Sequence, residues 1–345
     1  MRLFFAEYLS GLTDEPLDDG LLAQGLLMRD AVLADLVACA ARDPMLQSRC
    51  AVSPQAPLPP GVRGLQPRPS ESATDFVRRQ SAEHDVVWLI APETDELLLR
   101  LCEAVPSSKW LGCDADSIRL TTSKSRTIEK LHAANVLTPR TFENDPSVRA
   151  WIVKPDDGVG ATGARWHTSR ATAEQDLARR AQPAVLEHWV EGRAMSLSLL
   201  CDGQGGAELL SVNTQAIEVA ADGGLVERGV EALGLADATP SLRHLVQQVA
   251  QALPGLFGVV GIDYVAHPTR GPVLIEVNPR VTSAYAGLLA LGAGSPARSV
   301  LDLWRRRHAA SASSPALPSA QAEGSGTFDD TKLPVSSVRR PVGPA

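Results

Sequence analysis

The chain has 345 residues, enough for two or three domains with cores of their own. Lys and Arg number 33 against 40 Asp and Glu, and a net charge of −7 argues against a nucleic-acid binder that works by bulk electrostatics. Apolar residues make up 44%, an ordinary globular share, and charges cut every apolar run well short of the ~18 residues a membrane span needs.

Arg2–Leu9 reads as a first strand; Met1–Ser10 carries Glu7 and has neither a basic region nor a small-residue cleavage site, so no signal peptide is expected. Over Gly20–Ala41, apolar residues at Leu22, Leu26, Leu33 and Leu36–Val37 have helical spacing. Ser53–Ser70 is Pro-rich without apolar period and predicts a loop. Asp85–Ile90 is a short buried-type strand, followed by Ala-Pro-Glu and a Thr94 placed to N-cap a helix through Leu101. Strand and helix in alternation predict a small α/β domain over residues 1–112 with a parallel sheet. Such sheets bind ligands at strand C-termini, here near Glu7 and Glu93.

Thr121–Ala134 predicts a capped amphipathic helix. Beyond Thr138-Pro139, strand patterns dominate: Trp151–Lys154, Ala164–His167, Val185–Val190, Ala194–Asp202, Ala207–Val219 and Leu225–Glu231. Helical patterns cover Thr172–Ala181 and Ser241–Leu253, and two last strands, Gly258–His267 and Pro272–Asn278, flank a short turn. Residues 113–308 thus form a second domain, and Ala309–Ala345, rich in Ser, Pro, Ala and Gly, predicts a disordered tail. Five cysteines without a CxxC pair fit a reducing cytoplasm rather than a disulfide framework or a zinc site, and no HExxH occurs. Only five basic residues are Lys, among them Lys124 and Lys154, in a chain that otherwise prefers Arg.

Gly158-Val-Gly160-Ala-Thr-Gly163 matches GxGxxG, but it leads into the strand pattern Ala164–His167 and not into the helix that a dinucleotide site needs. No Gly-Lys pair exists for a Walker A loop. A plain hairpin turn remains open. The alternative is a phosphate cradle in which the strand Trp151–Lys154 delivers a positive charge beneath hairpin N–H groups.

Asp263 lies in one of the last two strands, and Glu276 and Asn278 share one face of the other, with Arg280 to follow if Pro279 leaves the strand regular. If the turn sets Asp263 opposite Glu276, two carboxylates and an amide oxygen form a hard donor set suited to Mg2+. A buried charge set paired with Arg280 is the other reading. Carboxylates in apolar strands are costly to bury without a cation, which favours metal.

In their order, Ser123-Lys124 opening a helix, VKPDDGVGATG, the segment Glu187-His-Trp-Val-Glu191-Gly192, GIDYV and IEVNPR resemble the ATP-grasp superfamily over about half of the chain. The resemblance implies an α/β fold with an N-terminal parallel-sheet pre-ATP-grasp domain and a two-lobed nucleotide-binding domain. It implies that Lys124, Lys154 and the glycines at 158, 160 and 163 contact ATP phosphates. Glu187 would accept from the adenine amino group, with backbone at Trp189 and Val190 reading the adenine edge. The family's usual ribose acid falls on Arg193 or Ala194, which leaves Glu191 as the nearest substitute. Asp263, Glu276 and Asn278 would hold Mg2+ or Mn2+, and Arg280 would steady the transferred phosphoryl group.

A narrower resemblance, carried by FAEYLSG, LLAQGLLMRDAVLADL, VVWLIAPETDELL, SVNTQ and EVNPRVTSAYAGL, is to the tyramine–glutamate ligases of methanofuran biosynthesis and their bacterial relatives. It implies an ATP-dependent carboxylate–amine ligase of one-carbon metabolism, with small-molecule acid and amine substrates and neither nucleic acid nor membrane as partner. Glu7, Glu93 and Tyr285 are candidate bases for the amine; Phe4, Tyr8 and Tyr285 are candidate walls of its pocket; Arg126 and Arg165 are candidate cations for a spare carboxylate. A D-alanine–D-alanine-type or carboxylase-like enzyme, or an ATP-binding module without turnover, remains as an alternative.

Overall fold

The computed structural model describes residues 1–13, 19–53, 56–158, 160–292 and 294–313. The first domain alternates as predicted: β1 (Arg2–Glu7), α1 (Tyr8–Gly11), α2 (Asp19–Arg42), β2 (Gln47–Ala51), β3 (Arg63–Leu65), α3 (Ala73–Glu83), β4 (Val86–Ile90) and α4 (Leu97–Glu103). Its four strands pair in parallel in the order β3-β2-β1-β4, so the topological switch falls between β1 and β4.

Four features of this domain differ from expectation, the first being β2, which no predicted strand covers. The Pro-rich stretch contains β3, whose three residues gain strand geometry only by pairing with β2. Ser72 caps α3 by accepting from the Asp75 N–H, on a segment whose only large apolar residues are Phe76 and Val77. Thr94 opens a 3₁₀ turn at Thr94–Glu96 with no side-chain cap, and α4 starts only at Leu97.

The predicted helix over 121–134 is two helices. α5 (Ala115–Thr122) ends and α6 (Lys124–Ala133) begins at Ser123, which is extended and accepts from the Arg126 N–H. After a 3₁₀ turn at Pro139–Phe142 come β5 (Trp151–Pro155), β6 (Arg165–His167), α7 (Arg170–Arg179) and β7 (Ala184–His188), a three-stranded antiparallel sheet ordered β6-β5-β7. Then β8 (Arg193–Asp202), β9 (Ala207–Val219), β10 (Leu225–Gly234), α8 (Pro240–Ala252), β11 (Phe257–His267) and β12 (Gly271–Asn278) build a five-stranded sheet ordered β10-β9-β8-β11-β12. The two sheets touch where β6 bridges to Gly224 at the head of β10, with Trp166 N–H donating to Gly223 O at 2.8 Å.

α9 (Tyr285–Ala290) and α10 (Pro296–Ser313) return to pack on α2. The backbone is helical to Ser313, past the expected start of the tail, and residues 314–345 lie outside the described residues. All five cysteines are buried and free, and among the described residues no helix is long and apolar enough to cross a membrane.

Asp35 on α2 locks this return. It is 1% exposed and accepts from Tyr285 Oη at 2.7 Å, from the Ala297 N–H at 2.8 Å and from the Ser295 hydroxyl. Asp35→Ala leaves all three donors without their acceptor, at a cost of about 3 kcal/mol. Thermal unfolding of that variant is expected about 5–10 °C below wild type, and a shift under 2 °C would show the lock to be idle.

Candidate functional site

Two adjoining crevices lie where the small sheet, the large sheet and α2 meet. The first, of about 420 Å³, runs from the glycine hairpin past β7 to β11 and β12. The second, of about 290 Å³, lies between α2, β10 and the segment after β12. They share Gly160–Thr162, Gln215, Leu225, Glu227 and Asp263.

The hairpin joins two antiparallel strands, which excludes the dinucleotide reading outright. Gly158, Gly160 and Gly163 adopt φ values of 129°, 60° and 72°, conformations that L side chains resist. The residue before the loop is stitched to the head of α6: Asp156 accepts from the Ser125 N–H and the Ser123 hydroxyl, and its carbonyl accepts from the Lys124 N–H. That anchoring aims Lys124 at the loop, where its ammonium donates to Gly158 O at 2.9 Å and pairs with Glu276 at 3.0 Å. Burial pushes the Lys124 ammonium down, but Glu276 with Glu93 and Asp156 together outweigh it and the net shift is upward.

Lys154 reaches the same crevice from β5. Ile152 stands opposite Glu187 across the β5–β7 ladder, so Lys154, two residues on, shares its face. Its ammonium pairs with Glu187 at 2.8 Å, both side chains at most 10% exposed. The expected adenine acceptor is therefore the partner of Lys154 here.

Beyond β7 the chain passes to the large sheet through Trp189–Gly192. Gly192 has φ 146°, and a Cβ there would lie 2.5 Å from Ala266 O, so this hinge admits only glycine. Trp189 and Val190 line the first crevice, although the Trp189 N–H is already given to Ala150 O at 3.0 Å. Glu191 is exposed and outside the lining; Arg193 and Ala194 line it instead.

At the other end Asp263 stands directly opposite Glu276, and Gly261 opposite Asn278, the register the turn was expected to impose. Asp263 accepts from Gln215 Nε2 at 3.0 Å and Asn278 Nδ2 at 3.2 Å. Burial, reinforced by Glu276 and Glu227, pushes its carboxyl up to about 7. Glu227 is raised by burial and by Glu276 as well. Among the described residues no group of three His, Cys, Asp or Glu is arranged to hold a metal. The donor set nevertheless fits a hard divalent cation: two carboxylates and an amide oxygen crowd together in a crevice lined by five acids, Asp157, Glu187, Glu227, Asp263 and Glu276, against Lys124, Lys154 and Arg193.

Arg280 does not continue β12; it sits in a bend past Pro279 and lines the second crevice. Glu93, from beyond β4, accepts from its Nε at 3.1 Å and Nη2 at 3.0 Å, bridging the two domains. Burial lowers the guanidinium, and Glu93, Glu276 and Asp263 together raise it by more. Glu93→Gln is expected to loosen this orientation and cut turnover about tenfold with little change in nucleotide affinity; steady-state kinetics would show kcat falling while KM for ATP holds.

The remaining candidates are placed elsewhere. Glu7 caps α1, accepting from the Leu9 and Ser10 N–H groups, and Tyr285 is spent on Asp35, so neither is a free base. Phe4 is core, packed edge-on against Phe76, and neither it, Tyr8 nor Tyr285 lines either crevice. Arg126 and Arg165 also lie outside both; Arg165 pairs with Asp222 at 3.3 Å on the surface. Glu227 was missed because β10 carries a second acid on the same strand, the exposed Glu231, and no spacing separates the two.

Residues 121–284 match the family model described as an ATP-grasp domain, and residues 30–118 match that of a pre ATP-grasp 3 domain. No curated protein matches the chain in sequence. Among solved structures, an ATP-grasp superfamily protein from Archaeoglobus fulgidus is similar with a TM-score of 0.64 at 19% identity, covering 88% of each chain. The VanG D-Ala:D-Ser ligase from Enterococcus faecalis gives 0.61 at 13% identity, covering 88% of this chain and 99% of its own. The L-amino acid ligase from Bacillus licheniformis gives 0.55 at 16%, with 83% and 68% covered. At these identities the likeness is one of fold.

Proposed function

Because the chain belongs to the ATP-grasp superfamily, with a pre-ATP-grasp domain ahead of the ATP-grasp domain, we propose that it is an ATP-dependent ligase that joins a carboxylate to an amine. We take residues 1–112 and 113–308 as its two domains. One observation carries this reading. Lys124 and Lys154 line the same crevice as the glycine hairpin, Asp263 and Glu276, with Asn278 beside them. Cations for phosphates and hard oxygens for a divalent ion thus flank one cavity.

Each lysine now pairs with a carboxylate that has a second task. With ATP in place, Lys154 turns to phosphate and frees Glu187 for the adenine amino group. Lys124 likewise exchanges Glu276 for phosphate. Ile152, Val190 and Ile275 supply apolar walls for the base. Asp263, Glu276 and Asn278 would hold Mg2+, which supplies positive charge against the β- and γ-phosphates. Arg280, oriented by Glu93, faces the phosphoryl group as the substrate carboxylate attacks phosphorus and forms an acyl phosphate. The hairpin, with three glycines to bend at, covers that intermediate from water. The amine then attacks the acyl carbon and phosphate leaves.

The names of the neighbouring D-Ala:D-Ser ligase and L-amino acid ligase fit the same reaction class. For substrates we propose L-glutamate through its γ-carboxylate and tyramine, on the segment resemblance to tyramine–glutamate ligases, with the reaction in a reducing cytoplasm that suits five free thiols. Incubation with MgATP, glutamate and tyramine is expected to yield γ-glutamyltyramine by mass. Phosphate release with another acid–amine pair and no such product would keep the ligase class and reject these substrates.

A further inference from the structure

Resting on the ligase reading, we propose that Glu227 receives the amine substrate, holding its ammonium group at the junction of the two crevices and taking the proton it must lose before it attacks. Glu227 lines both crevices, and a Cβ built on Gly160 would lie 3.3 Å from its Oε2, so the carboxylate stands directly against the glycine hairpin. It stands opposite Ile217 on β9, and Ile217, Leu225 and Glu227 all line the first crevice, as residues two apart on one strand face do.

The other acids around the site are engaged. Glu187 pairs with Lys154, Glu276 with Lys124 and Glu93 with Arg280; Asp263 accepts from Gln215 and Asn278; Glu7 caps α1. Among the described residues the Glu227 side chain makes no hydrogen bond or ion pair, and Arg280, which lines the same crevice, acts on it only through space. A carboxylate held half-buried without a partner is costly unless a cation arrives to meet it. The second crevice supplies the rest of the recognition: Leu21, Met28 and Val230 give an apolar wall beside Glu227, suited to a primary amine with an apolar body.

The step balances as follows. Glu227 takes one proton from the ammonium, and the freed nitrogen lone pair forms the C–N bond. The acyl C–O bond to phosphate breaks, with its electron pair leaving on the phosphate. The second surplus N–H proton goes to that phosphate, and Glu227 returns its own to water.

Two measurements on wild type and Glu227→Gln test this. In the first, tyramine, butylamine and benzylamine are titrated calorimetrically into each protein with MgADP bound. Wild type is expected to bind at least one, and the variant to bind it about tenfold or more weakly. Equal affinities, or no amine bound by wild type, would overturn the proposal. A raised Mg2+ requirement for ADP binding in the variant would do so too, since Glu227 would then be a metal ligand. The second compares L-glutamate with hydroxylamine, which is already neutral near pH 7, against L-glutamate with tyramine. The variant should keep most hydroxamate formation and lose amide formation about a hundredfold; equal losses with both nucleophiles would overturn the proton role. If wild type releases no phosphate with glutamate, the substrate reading fails, while the amine titration still decides Glu227.

Discussion

Lys154→Ala is expected to lower ATP turnover by about a hundred- to a thousandfold, the effect of removing one preorganised charge from a buried phosphate site. Phosphate release at saturating ATP measures it. The side chain is 7% exposed and reaches the crevice from a strand, so no neighbouring cation swings in to replace it. The same change strips Glu187 of its cation. A buried carboxylate left unpaired costs about 3–5 kcal/mol unless it takes up a proton, so lost activity could reflect a lost fold. Lys154→Ala combined with Glu187→Gln separates the two. The double variant should regain melting temperature and stay inactive. Turnover near wild type in the single variant would remove Lys154 from phosphate binding, and recovery in the double variant would make its role structural.

Glu276→Gln should rank next, with turnover down about a hundredfold and a higher Mg2+ concentration needed for half-maximal rate. Gln keeps the shape and one oxygen but removes the charge that opposes Lys124 and would hold the cation. Asn278→Ala removes a neutral donor and is expected to cost about tenfold. Lys124 keeps its bond to Gly158 O in both variants, so the loop stays anchored and the comparison isolates the donor set. Full activity in EDTA, or an Asn278→Ala variant worse than Glu276→Gln, would reject the assignment. Mg2+ and Mn2+ should both support the reaction, and Zn2+ should not.

The outline of the molecule was legible because its long elements carry strong periodic signals. The apolar strand runs of β8, β9, β11 and β12 and the helical spacing over Ser241–Leu253 are strong signals, and the elements lie close to where the pattern puts them. The Asp263–Glu276 register was legible too, since a short turn between two strands leaves few pairings. β2, β3 and α3 were not, because their residues are largely polar and tertiary pairing or a single cap decides them. The break at Ser123 has no mark in the helical spacing, which runs through it; the family resemblance alone opens a helix at Ser123-Lys124, and the stitching of Asp156 to the head of α6 holds the break in place.

The sequence by itself also determined which residues carry chemistry: two lysines, a glycine hairpin, and acids in apolar strands each break the local pattern at some energetic cost. It could not determine how those charges are partnered. Lys154 with Glu187, Lys124 with Glu276 and Arg280 with Glu93 join residues 33, 152 and 187 positions apart. Only the packing of two sheets and a preceding domain around one cavity brings them within 3 Å or so, where Coulomb attraction in a desolvated site selects partners that no sequence period encodes. By the same packing Tyr285 is drawn away to Asp35 and Glu227 is left facing the crevice alone, because what a side chain meets is decided by the elements around it and not by its neighbours in the chain.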